Sequence, residues 1–595
     1  MNSLDDAPKP HFVLIPFMAQ GHTIPMIDMA HLLAKHGAMV SFITTPVNAA
    51  RIQSTIDRAR ELNIPIRFVP LRLPCAEVGL PDGCENVDEV LEKDQVMKMT
   101  DAYGMLHKPL VLYLQEQSVP PSCIVSDLCQ PWTGDVAREL GIPRLMFNGF
   151  CAFASLCRYL IHQDKVFENV PDGDELVILP GFPHHLEVSK ARSPGNFNSP
   201  GFEKFRAKIL DEERRADSVV TNSFYELEPL YVDSYQKRIG KRVWTIGPML
   251  LCNSDRSTIA DRGAKASVNQ QHCMEWLDSM KRGSVLYVSF GSMARTVVSQ
   301  LEEIALGLEA SKRPFLWVIK SDNKPSETDK LFLPEEFEER TRGRGLIIQG
   351  WAPQALIISH PSVGGFVTHC GWNSTIEGVS AGLPMITWPH CAEQFLNEEL
   401  IVNVLKVGLA VGVQSITNRT MKPHEVSIVK RDQIERAVVE LMGKETDAEE
   451  RRTRAKELKE KARKAIDEGS SYNNRLTTKM DCFRLFSRTS GDAILRPLSK
   501  EQVGKIVGKK RNLKRDEVSV PNYQSAQHDG HVFASRTAWS VLCKNENHQL
   551  SQTPAMASSP HDDGRQGRSQ APSKGRCGSA APARVCRIQA PPTAR

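Results

Sequence analysis

The chain has 595 residues, too many for one hydrophobic core, so two or more domains are expected. Its 41% hydrophobic and 24% charged residues are the balance of a globular protein, and no run of about eighteen apolar residues occurs that would span a bilayer. The net charge of +5 is uneven: residues 491–595 hold 17 Lys/Arg against 8 Asp/Glu, a net of +9, and the rest hold 58 against 62, a net of −4, which gives the body no electrostatic reason to bind nucleic acid.

The opening MNSLDDAPKPHFVLIPF is acidic and polar, and its apolar run breaks at Pro16, which argues against a secretory leader and for a cytoplasmic protein. The 14 cysteines are scattered without CxxC pairs and read as reduced thiols rather than a disulfide framework or zinc site. HFVLIP (11–16) predicts a strand and FMAQGH a loop. IPMIDMAHLLAKHG then predicts a helix, with Thr23 as N-cap, Pro25 in the first turn and Gly37 at the C′ position. AMVSFITTP reads as a second strand, and near-continuous apolar strands of this kind belong to a parallel sheet. SCIVSD (122–127), PWTGDVARELG and IPRLMF repeat the strand–helix–strand rhythm. In VPDGDEL, Asp172 and Asp174 make an Asp-x-Asp pair of the kind that holds manganese in some transferases, but Pro followed by Asp-Gly is turn composition, and no metal is expected.

The polar stretch 253–270 lacks periodicity and reads as a linker. The rhythm then restarts. SVLYVSFGS (284–292) is a strand running into a small-residue loop, QLEEIALGLEASKR a helix, and PFLWVI and GLIIQGW two more strands. SVGGFVTHCG is a strand entering a glycine turn, and NSTIEGVSAG a helix. Residues 431–468 read as helices, and 487–595 form a basic Ser/Pro/Ala/Arg-rich tail whose composition predicts disorder. Two separate βαβ rhythms imply an α/β fold of two Rossmann-like doubly wound domains, residues 1–252 and 271–486, facing across a cleft.

His22 follows the first strand at the carboxyl edge of the first sheet, in the loop before the helix, where open α/β folds place ligands. Histidine titrates near neutrality, and Asp127, ending CIVSD at the same edge, is placed to hold the far imidazole nitrogen. On the residues alone, a surface-loop role for His22 is equally open. The most informative segment runs from Trp351 to Gln394: WAPQALIISHPSVGGFVTHCGWNSTIEGVSAGLPMITWPHCAEQ. Its strand enters the turn Cys370-Gly371 and a helix follows, so free N–H groups and the helix dipole point at an anion. Taken singly, Trp351 reads as core, Glu377 as a solvated face and His369 as a structural histidine.

Taken jointly, these 44 residues resemble, end to end, the nucleotide-sugar signature of the plant family 1 UDP-glycosyltransferases, which attach a sugar to small secondary metabolites. The resemblance implies the GT-B architecture, with acceptor bound by the N-terminal half and donor by the C-terminal half. It also implies Trp351 stacked on uracil, Ala352 at the uracil edge through its backbone, and Gln354 and Glu377 on the ribose. His369, Asn373 and Ser374 fall on its phosphate contacts, with Ser292 of the SFGS loop a second phosphate donor. Trp372, Glu393 and Gln394 fall on its sugar contacts; many relatives have Asp where this chain has Glu393, and Gln394 favours glucose over galactose.

His22 and Asp127 match the family's base and orienting carboxylate. The implied reaction is a direct displacement at the anomeric carbon, inverting an α-linked donor to a β-glucoside, with UDP-glucose as co-substrate, no cofactor and no metal. The acceptor is expected to be a flavonoid, another phenolic or a triterpenoid. Residues 148–160, Gly79–Cys84 and Phe182–His185 are candidate pocket segments, although a buried core helix explains the first equally well. The protein is expected to be a monomer whose partners are the acceptor and the UDP-sugar. The tail departs from the family, which usually ends in a helix crossing back to the N-terminal domain. A catalytically weakened sugar-nucleotide-binding protein with a disrupted C-terminus is therefore the alternative.

Overall fold

A computed structural model describes residues 9–90, 93–171, 173, 175–193, 201–252, 270–291, 296–319, 336–417 and 426–467. Ser292, Asp172, Asp174, the linker residues 253–269 and the tail 487–595 lie outside the described residues.

The first half builds strands β1 (His11–Ile15), β2 (Met39–Thr44), β3 (Ile66–Pro70), β4 (Cys123–Asp127), β5 (Arg144–Asn148), β8 (Ser218–Thr221) and β9 (Val243–Thr245). Between β5 and β8, β6 (Leu176–Ile178) and β7 (Glu187–Ser189) form a separate antiparallel pair. The seven-stranded sheet has the order β3-β2-β1-β4-β5-β8-β9 and is parallel throughout. In the second half, β10 (Val285–Ser289), β11 (Phe315–Ile319), β12 (Gly345–Gln349), β13 (Val363–Thr368), β14 (Met385–Thr387) and β15 (Gly408–Ala410) form a parallel sheet in the order β12-β11-β10-β13-β14-β15.

Both sheets are covered on both faces, which is why their strands read as unbroken apolar runs. Along β10 the alternation is visible in the packing: Val285 and Tyr287 join one core, and Leu286 and Val288 the other. The first of these cores does not stop at the second domain. It runs from the helix Ala152–Gln163 and β8 of the first half into Cys370, Trp372 and Leu396 of the second. The two doubly wound halves therefore share apolar surface. The helices expected over 431–468 are Arg431–Leu441 and Thr446–Ile466. The second buries Ala455, Leu458, Ala462 and Ala465, a stripe at helical spacing.

The first helix, α1 (Gln20–Lys35), departs from expectation at its start. Thr23 is not its N-cap; the cap is Ala19, which has no side-chain oxygen to offer. The carboxylate of Asp88 reaches across instead and accepts the Gln20 N–H at 3.2 Å. His22 consequently sits in the first turn of α1 rather than in the loop before it, and Pro25 lies inside the helix. Gly37, with φ +85°, follows the helix in the left-handed conformation expected there.

Candidate active site

In a doubly wound sheet the crevice lies where strand order reverses, at the carboxyl ends of the strands. On the first sheet that point is between β1 and β4. α1 leaves β1 there and Asp127 closes β4. His22 Nδ1 lies 2.8 Å from Asp127 Oδ2. Asp127 is fully buried, and its other oxygen accepts the Cys129 N–H at 2.8 Å, so the carboxylate is fixed. Fixed in this way it accepts the hydrogen bond of Nδ1–H, which keeps the proton on Nδ1 and leaves Nε2 as the basic nitrogen. Phe17 packs edge-on against the imidazole, with ring centroids 5.3 Å apart. Burial by itself depresses the His22 pKa, but the carboxylates of Asp127, Glu393 and Asp88 outweigh it and hold the pKa above 6.5.

On the second sheet the order reverses between β10 and β13. β13 delivers His369 and the turn Cys370-Gly371, and helix α3 (Trp372–Ala381) begins with no side-chain bond from its N-cap, Gly371; the Glu393 carboxylate holds the Trp372 N–H, and the N–H groups of Asn373 and Ser374 follow it in the first turn, where an anion is favoured. The imidazole of His369 is wedged between two glycines. A Cβ on Gly291 would lie 2.5 Å from its Cε1, and one on Gly371 2.3 Å from its Nε2. Among the described residues its buried Nδ1 has no hydrogen-bond partner. Burial, and then the neighbouring His390, push its pKa down to about 3, so it is a neutral donor or acceptor rather than a cation.

His390 escaped the sequence reasoning. It is 7% exposed, meets Phe290 edge-on, has an Nε2 with no hydrogen-bond partner among the described residues, and its pKa is pushed by burial down to about 4. Its only signal in the sequence is a place between two residues with packing explanations, Pro389 and Cys391.

Gln354, Ser374 and Glu377 come together as one network. Gln354 Nε2 donates to Ser374 Oγ at 2.9 Å and to Glu377 Oε2 at 2.8 Å, and Tyr287 O–H donates to Gln354 Oε1 at 3.3 Å. Ser374, expected with the phosphate residues, thus shares the hydrogen bonds of the ribose pair. Trp351 and Ala352 stand just upstream, in the turn between β12 and Gln354. Helix Gln394–Glu399 (α4) starts at the other end of the segment. Gln394 Oε1 accepts the N–H groups of His390 and Cys391 at 2.8 and 3.0 Å, which leaves its Nε2 as the group with donors to spare. Glu393 is buried, and burial raises its pKa against the opposing pull of nearby backbone N–H groups and of His22.

Trp372 opens α3. Its indole is 2% exposed and donates Nε1–H to the Asn222 carbonyl at 2.9 Å. The ring therefore belongs to the seam between the halves, and the main-chain N–H of Trp372 is held by the Glu393 carboxylate. Asn373 bridges the cleft, donating from Nδ2 to the Gly21 carbonyl at 2.5 Å. Of the acceptor segments, the helix Ala152–Gln163 (α2) is buried from Ala152 to Ile161. Phe182 stacks on Tyr231 and meets Phe153 edge-on, inside the same core. Phe182 is thus packed into the core while His184 and His185 beside it are exposed; apolar composition serves a core and a pocket alike. Gly79–Cys84 and its continuation lie nearer His22, since Val87 N–H bonds to Met18 and Asp88 caps α1.

Gly371 has φ −58°, so alanine there meets no backbone penalty and acts only by displacing His369. Gly371→Ala is expected to weaken UDP binding by about tenfold with the fold intact, as measured by calorimetry, because fixed hydrogen-bond geometry at an anion is lost.

Two parallel doubly wound sheets, one ending in a half-buried His–Asp pair and the other in a helix terminus suited to an anion, have the two-domain arrangement of the GT-B type. Residues 242–480 match the family described as UDP-glucoronosyl and UDP-glucosyl transferase. The chain is 42% identical over 473 residues to UDP-glycosyltransferase 73C11 of Barbarea vulgaris, covering 79% of this chain and 96% of that one. It is 43% identical over 475 residues to UDP-glycosyltransferase 73C3 of Arabidopsis thaliana, covering 79% and 95%. Among solved structures, Glycyrrhiza uralensis UGT73P12 complexed with glycyrrhetinic acid 3-O-monoglucuronide is similar with a TM-score of 0.72 at 35% identity, covering 85% of this chain and 100% of that one. The chain belongs to the plant family 1 UDP-glycosyltransferases, and it is a glycosyltransferase.

Proposed function

We propose that the enzyme moves glucose from UDP-glucose to a hydroxyl of a plant small molecule, a flavonoid, another phenolic or a triterpenoid, and inverts the anomeric centre to give a β-glucoside. The observation that carries this reading is the 2.8 Å His22–Asp127 pair set opposite Glu393 and the N-terminus of α3. Nε2 of His22 takes the acceptor's hydroxyl proton as its oxygen bonds to the anomeric carbon. The bond from that carbon to the phosphate oxygen breaks on the far face, and UDP leaves. Asp127 stabilises the imidazolium so formed.

Charge developing on the diphosphate is taken by the amides of α3, by Asn373 and by His369, a neutral donor in a dry site. Ser292 is our second phosphate donor, Trp351 and Ala352 the uracil contacts, Gln354 and Glu377 the ribose contacts, and Gln394 the sugar contact that favours glucose. The N-terminal domain, 1–252, supplies the acceptor site. The ligand of UGT73P12 favours the triterpenoid part of the acceptor range.

The test is incubation of the purified protein with UDP-glucose and a panel of flavonoids, simple phenols and triterpenoids, read by mass spectrometry for one added hexose. Transfer is expected, and it should survive exhaustive chelation because no step above uses a metal. Loss on chelation that manganese restores would overturn the metal-free mechanism. UDP-glucose binding with no product from any acceptor would favour the weakened sugar-nucleotide-binding protein.

A further inference from the structure

In an α-helix the N–H of residue i bonds to the carbonyl of residue i−4. At Pro25 that N–H is missing, and the carbonyl it would have served is Gly21, the residue before the general base. A helical carbonyl without its donor needs another partner. Here the partner comes from the other half of the molecule. Asn373, second residue of α3, donates Nδ2–H to Gly21 O at 2.5 Å. The contact joins residues 352 apart in sequence, and the two turns it joins are the one carrying His22 and the one whose amides face the diphosphate. Neighbouring bonds in the same turn are ordinary: His22 and Thr23 N–H groups go to Ala19 O at 3.0 and 2.9 Å.

We propose that Pro25 and Asn373 are positioning residues acting as one device. Pro25 withholds a hydrogen bond so that the Gly21 carbonyl stays available, and Asn373 uses that carbonyl to lock the donor helix to the turn bearing the catalytic base. An amide nitrogen carries two hydrogens, so Asn373 holds Gly21 with one and presents the other, already oriented, to the diphosphate. Pre-orientation of this kind raises affinity by removing an ordering cost. The inference rests on the donor site described above, and on the acceptor not at all.

The test is a double-mutant cycle on the full-length chain, with UDP as the probe in calorimetry and kcat measured in parallel. Pro25→Ala restores an N–H that competes for Gly21 O. In the wild-type background it should weaken UDP binding by about fivefold, the scale of one net hydrogen bond. In an Asn373→Ala background, where no bridge exists to lose, the same substitution should change UDP affinity by less than about twofold. A proline that only stiffens or bends the helix would produce equal losses in both backgrounds, and that result, or no loss in the wild-type background, overturns the proposal. Pro25→Ser, which also restores the N–H, guards against a folding defect peculiar to one variant and should repeat the pattern. Failure of the wild type to transfer hexose would count against the proposed reaction and leave the UDP cycle decisive for the bridge.

Discussion

Replacing His22 by alanine should lower kcat by about 10²–10⁴-fold while leaving UDP affinity within about twofold, the range expected for a positioned general base. The phenolic or alcoholic acceptor is a weak nucleophile, and His22 Nε2 is the basic atom that the Asp127 contact leaves free at the cleft. The sign of the pH dependence follows from the electrostatics. The neutral imidazole is the working form, and the neighbouring carboxylates hold its pKa above 6.5. Activity under limiting acceptor should therefore fall as pH drops, with an inflection above 6.5. Asp127→Asn removes the largest of the raising influences, so its inflection should move to lower pH, and kcat should fall because the imidazole loses its tautomer and its support. A pH profile of His22→Ala that keeps the wild-type inflection would assign the base elsewhere.

The largest expected effect on stability lies away from the cleft. Arg158 of α2 places one guanidinium nitrogen 2.6 Å from each oxygen of Glu213, and the Tyr235 hydroxyl donates to the same carboxylate. Glu213, Arg158 and Tyr235 are 0%, 7% and 1% exposed. Exchanging such a pair for apolar residues of similar shape can be neutral, but removing one partner strands a charge in a low dielectric. Glu213→Ala is therefore expected to destabilise the protein by about 3–5 kcal/mol, seen as a lower urea midpoint. Glu213→Ala with Arg158→Met should recover much of that loss, since the stranded cation is gone. A double variant no more stable than Glu213→Ala would mean that packing, not charge, sets the cost.

The sequence carried the sheet architecture because strands buried on both faces leave continuous apolar runs such as Phe12–Ile15 and Val285–Val288. It carried His22 and Asp127 to one sheet edge for the same reason: strand ends and switch points are local consequences of those runs. What it did not carry is held by distant partners. The start of α1 depends on Asp88, 68 residues further on, and on Asn373, 352 residues from Gly21. No local cap pattern contains either. The direction of the Trp372 indole is likewise set by a backbone carbonyl 150 residues earlier, which no local pattern contains. The apolar run at 148–160 fitted a pocket wall and a core helix equally well, and its helix is buried from Ala152 to Ile161, since hydrophobicity records burial and not what does the burying.

The apolar core that continues from α2 through Trp372 to Leu396 has a consequence for anyone recombining such enzymes. An acceptor half grafted onto a foreign donor half inherits only one side of that seam. A chimera joined in the linker should then misfit along the seam unless Asn222, which holds the Trp372 indole, and Cys151, which meets Asn397, are matched to the incoming half. Exchange of acceptor preference by half-swapping is thus a packing problem before it is a recognition problem, and parents with matching seams should yield the active hybrids.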